Sequence, residues 1–113
     1  MTRAALAVAF VSTGALGFNG AVASSALTGE EVYALVSAYP DWDSSLVSRI
    51  IFCEARNDPL AYNPAGPYLG LGQVLASHVE EPETLYDPVV NVAVMHRLWL
   101  SGGYGQWPVC QWN

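Results

Sequence analysis

The chain has 113 residues, enough for one modest core. Ten Asp and Glu face four Arg and no Lys, a net charge of −6. That balance excludes the basic footprint that phosphate backbones require, so nucleic acid is not an expected partner.

Residues 1–23 read as a secretory signal peptide. Arg3 supplies the positive start, Ala4 to Phe18 an apolar and small-residue run, and Ala21-Val22-Ala23 the small-x-small form that signal peptidase cuts. Cleavage is expected after Ala23, with Ala26 as the alternative. The run falls short of the ~20 apolar residues that a membrane span needs. No later segment is long and apolar enough either, so no stable membrane insertion is expected after cleavage. Residues 24–113 are then a single domain, secreted or periplasmic. Its two cysteines, Cys53 and Cys110, are expected to pair in an oxidising compartment. Closing a loop of that length stabilises a small domain by about 4 kcal/mol in the chain-entropy picture.

Thr28-Gly29-Glu30-Glu31 has the form of a capping box. Val32, Leu35, Val36 and Tyr39 then recur at helical spacing, which predicts a helix from Gly29 to Tyr39, stopped by Pro40. Asp43 is a good N-cap for a second helix running to Ala55 or Arg56. Asn57 to Pro67 reads as loop, because Asp58-Pro59, Asn63-Pro64 and Gly66-Pro67 are turn formers. Tyr68 to Gln73 includes a short extended piece, residues 73–79 a helical turn or two, and Glu80 to Thr84 an acidic loop. Asp87-Pro88 opens a last helix that ends at Gly102-Gly103. An aromatic tail, Tyr104 to Asn113, follows. The predicted fold is mainly α.

Glu54 stands out on physical grounds. Leu46, Val47, Ile50, Ile51 and Glu54 form one stripe of the second helix, and its last member is a carboxylate. It also lies in the last turn, where unpaired carbonyls create a negative field. Desolvation and that field both raise a carboxyl pKa. A carboxyl protonated near neutral pH is what a glycosidase general acid requires.

Three strings surround this residue: Cys53-Glu54-Ala55-Arg56-Asn57-Asp58-Pro59-Leu60-Ala61-Tyr62-Asn63, then Gly70-Leu71-Gly72-Gln73, then Asp87-Pro88-Val89-Val90-Asn91. With Trp107-Pro108-Val109-Cys110 they resemble the soluble lytic transglycosylase and goose-type lysozyme superfamily over residues 42–110. The resemblance implies a lysozyme-like α+β fold with helices around a glycan-binding groove. It makes Glu54 the single catalytic acid and base, and Gly70 and Leu71 the turn beneath the groove. It makes Gln73 a polar groove residue, and it gives Asp87 and Asn91 a structural role at the start of the last helix. Tyr62 and Tyr104 are the aromatic residues most expected to line the groove. The sequence departs from the pattern at Ala55, where Ser is usual, and at Gly72, where a larger apolar residue is usual.

The implied reaction is cleavage of the MurNAc–GlcNAc β-1,4 bond of peptidoglycan by a lyase. Its single carboxyl suffices because the muramic acid 6-hydroxyl attacks and leaves a 1,6-anhydro product. Ordinary glycosidases use two carboxyls. Here Asp58 reads as a turn former, and Glu80, Glu81 and Glu83 as a solvated acidic face. A hydrolytic lysozyme of the same fold and a non-catalytic, disulfide-stapled binding module are the alternatives. His78 and His96 lack neighbours at ligand spacing, so no metal is expected and no cofactor is implied. The expected partner is the glycan strand, and the expected state is a monomer.

Overall fold

The computed structural model describes residues 25–112. The predicted leader and its cleavage point after Ala23 lie outside the described residues. Helix α1 (Gly29–Val36) begins with the reciprocal cap. Thr28 Oγ1 accepts from the Glu31 amide at 3.1 Å, and Glu31 Oε1 accepts from the Thr28 amide at 2.8 Å. The helix ends three residues earlier than its apolar spacing predicts. Pro40 pushes Tyr39 away from helical torsions. The chain closes instead through shorter-range bonds, Ala38 to Leu35 at 3.4 Å and Tyr39 to Val36 at 3.2 Å. The Trp42 indole N–H then takes the Val36 carbonyl at 2.8 Å, satisfying one of the helix-end acceptors.

Helix α2 (Ser44–Ala55) is capped by Asp43, whose carboxylate accepts from the Leu46 amide at 3.0 Å. Val47, Ile50, Ile51 and Ala55 are its buried residues. The first three join Val32 and Val36 of α1 in the main core cluster. Arg56 terminates the helix in the left-handed region (φ 53°), donating its amide to the Phe52 carbonyl at 2.9 Å. Asn57 follows in the same region (φ 62°).

Beyond this turn the chain departs from the mainly α expectation. The predicted loop contains strand β1 (Tyr62–Asn63), which pairs antiparallel with β2 (Tyr68–Leu69). Strand β3 (Val74–Leu75) pairs with β2 in turn, where helical turns were expected from 73 to 79. A single 3-10 turn, Ala76–His78, follows it. The acidic stretch is also ordered, because Pro82–Tyr86 forms a 3-10 segment with Leu85 fully buried. Strand β2 falls in the extended piece expected within Tyr68 to Gln73; β1 and β3, two residues each, carry no alternation of apolar and polar positions to announce them. The fold is therefore mixed α/β, with three α-helices and one three-stranded sheet among the described residues.

Helix α3 (Pro88–Gly102) starts and stops where expected. Asp87 accepts from the Val89 amide at 2.9 Å, and Gly103 continues the chain at φ 64°. Cys53 and Cys110 form the expected disulfide, with Cα atoms 5.7 Å apart, tying the end of α2 to the aromatic tail.

Candidate active site

The two motifs that carry the predicted site residues are held by different means. Glu54 occupies the last turn of α2. At 100° per residue it shares an azimuth with Val47, Ile50 and Ile51, all buried. Its carboxyl is half-buried, and among the described residues it has neither a hydrogen-bond nor an ion-pair partner. Desolvation by that burial raises its pKa above the ordinary 4.5. The setting favours the protonated form more than open water would and does not engage the carboxyl with another described residue. A group of this kind can protonate a leaving oxygen and afterwards accept a proton back.

A short series of backbone bonds leads from the end of α2 to the second motif. The Asp58 amide donates to the Ala55 carbonyl at 3.0 Å and the Ala61 amide to Asp58 at 3.1 Å. The Ala61 carbonyl accepts the Gly70 amide at 2.8 Å and the Gln73 side-chain amide at 3.3 Å. Gln73 Nε2 also reaches the Gly70 carbonyl at 3.1 Å. Gln73, predicted as a groove residue, thus clamps the turn that carries it, in a left-handed conformation (φ 47°).

Asn91 of α3 holds the same turn from below. It is 0% exposed and the one buried polar residue among those described. Its Oδ1 accepts from the Gly72 amide at 2.9 Å, and its Nδ2 donates to the Leu69 and Leu85 carbonyls, each at 2.9 Å. The Trp107 indole donates to the Gly72 carbonyl at 2.9 Å. Gly70 and Gly72 are required here. A Cβ at Gly70 (φ 75°) would strike Asn91 Nδ2 and the Leu85 carbonyl, and one at Gly72 would strike the Met95 side chain. Met95 fills the space that a larger residue before Gln73 would take.

The remaining predicted residues separate. Leu71 is 0% exposed, so its part in any groove is that of a floor. Tyr62 on β1 is 57% exposed and presents an aromatic face to solvent. Tyr104 is partly buried; its hydroxyl accepts the Asp43 amide at 2.8 Å and its ring leans on Trp99 at 5.8 Å. Asp58 is a turn former, its Oδ1 accepting from Ser25 Oγ at 2.6 Å and from the Leu60 amide at 2.9 Å. His96 pairs with Asp41 at 2.8 Å and stacks on Tyr39 at 4.2 Å between centroids. Among the described residues no group of three or more His, Cys, Asp or Glu could hold a metal ion.

Two features have no advance signal in the chain. Asp41 and His96 are far apart in sequence and meet only through the packing of α3 on the α1–α2 connector. An open pocket of about 490 Å³ lies on the outer face of α2, lined by Arg49, Phe52, Cys53 and Arg56 among others, and does not include Glu54. The Glu54 side carries the chemistry of the candidate site even though that pocket is elsewhere, since the carboxyl there is perturbed by burial and has no partner among the described residues. No family model, curated sequence or solved structure matches the chain.

Proposed function

We propose that the protein is a peptidoglycan lytic transglycosylase of lysozyme-like fold, exported and acting as a monomer on glycan strands. The observation that carries this reading is Glu54, a half-buried, unpartnered carboxyl at a helix end with a raised pKa. The Gly70-Leu71-Gly72-Gln73 turn, anchored by Asn91 and Trp107, supports it by giving the motif resemblance a rigid physical basis.

In this mechanism protonated Glu54 donates its proton to the glycosidic oxygen as the bond to the muramic acid anomeric carbon breaks. The carboxylate so formed accepts the proton of the muramic acid 6-hydroxyl, whose oxygen attacks that carbon and closes the 1,6-anhydro ring. Water is not consumed, and Glu54 returns to its starting state. Burial serves both steps, because it weakens the carboxylate's solvation and raises its pKa above that of a free carboxyl. Tyr62 offers an exposed ring for a sugar face.

The test is to incubate the protein and its Glu54→Gln variant with purified peptidoglycan and to weigh the released muropeptides. Products one water lighter than hydrolytic ones, lost in the variant, are expected. Hydrated products would instead mean a lysozyme. Binding to the wall without release would leave a binding module and end the enzyme proposal.

A further inference from the structure

The outer face of α2 carries a second cluster of charged and apolar groups. Gly29, Ser48, Arg49, Phe52, Arg56 and Asn57 line the open pocket there, with Cys53 at its edge. On the helix these α2 positions lie opposite Glu54, so the two sites share a helix but no face. Two observations converge on this pocket.

The first is charge. The chain has four Arg against ten acidic residues, and two of the four line this one pocket. The Arg56 guanidinium lies 4.9 Å above the centre of the Phe52 ring, within cation–π range. It makes no hydrogen bond to any described residue, which leaves its planar fork of donors available for an oxyanion. The second is the apolar wall, since Phe52 is 50% exposed and the lining is mainly carbon. The size suits a small organic molecule.

We propose that this pocket binds a small amphiphilic carboxylate. Its carboxylate lies against the Arg56 fork, and its apolar body lies along Phe52 beside the disulfide. A monoanion is favoured over a phosphate because Glu30 and Glu31 sit at the neighbouring α1 N-terminus, in a chain already strongly acidic. Glu54 takes no part.

Octanoate, 1-octanol and octyl phosphate, each titrated into the isotopically labelled full chain and followed by NMR, test this. Octanoate should saturate shifts at Gly29, Ser48, Phe52 and Asn57 with a Kd on the order of 1 mM or tighter. Octanol and octyl phosphate should each bind at least about tenfold more weakly, a difference of about 1.4 kcal/mol. Arg56→Gln should weaken octanoate by a similar factor and Arg56→Lys by less, while Glu54→Gln should change nothing. Shifts that do not saturate, shifts centred elsewhere, or octanol binding as well as octanoate would overturn the proposal. Tighter binding of octyl phosphate would overturn the carboxylate assignment. The ligand series needs no variant, so a misfolded Arg56→Gln chain would not rescue the idea.

Discussion

Asn91 and Glu54 are both polar side chains drawn out of water, and the molecule treats them in opposite ways. Asn91 is fully buried, and both its donor and its acceptor atoms are matched to backbone groups from the turn, β2 and the Pro82–Tyr86 segment. Glu54 is half-buried and has no partner among the described residues. A satisfied polar group in a core specifies structure. An unsatisfied one at the rim of a core keeps its bonding capacity uncommitted, and burial raises its pKa.

The largest expected effect is at the satisfied site. Asn91→Ala strands one amide and two carbonyls, and should lower unfolding free energy in urea by about 3–5 kcal/mol. A loss under 1 kcal/mol would show that the turn does not depend on this anchor. Next is Glu54→Gln, which should reduce muropeptide release at least ~100-fold with the fold intact, as circular dichroism would report. Equal activity would remove the contrast between the two residues altogether. Trp107→Phe keeps an aromatic ring but deletes the bond to the Gly72 carbonyl and some buried volume. It should cost about 1–2 kcal/mol by the same urea titration, less than Asn91 because a single acceptor is stranded.

The smallest effect is on pH dependence and has the sharpest sign. Burial raises Glu54, so the fold favours its protonated form. That contribution is fully present below the ordinary value of 4.5 and is lost as pH rises through the raised one. Glu54→Gln should therefore unfold at a slightly higher temperature than the parent at pH 7, by about 2 °C or less given the partial solvation. The gain should vanish near pH 4. Activity of the parent should decline on the alkaline side as the same group ionises. A variant less stable than the parent at pH 7 would mean that the carboxylate has a partner.

The caps at Thr28, Asp43 and Asp87 were legible in the sequence because each joins residues two or three apart. The burial of Glu54's stripe was legible for the same reason, through helical periodicity. Of the sheet only β2 was, since strands of two residues are set by the turn between them and by Asn91 from a distant helix. Tyr104 illustrates the other limit. Its aromatic character suggested stacking on a sugar, but its hydroxyl is fixed on the Asp43 amide, 61 residues away in sequence, a contact that only the assembled fold creates. The outer pocket was invisible likewise, because Gly29 and Asn57 come from outside α2.

The disulfide has a consequence for the end of α2. Cys53 is the residue immediately before Glu54, and its partner Cys110 lies in the tail that also supplies Trp107 to the Gly72 carbonyl. One covalent bond thus splints the helix end that bears the carboxyl to the segment that braces the Gly70–Gln73 turn. Helix ends fray first when their tertiary support is withdrawn. Reduction should let the last turn of α2 loosen, rehydrate Glu54 and return its pKa toward that of a free carboxyl. The proton affinity of one side chain is in this way coupled to the redox state of its sequence neighbour.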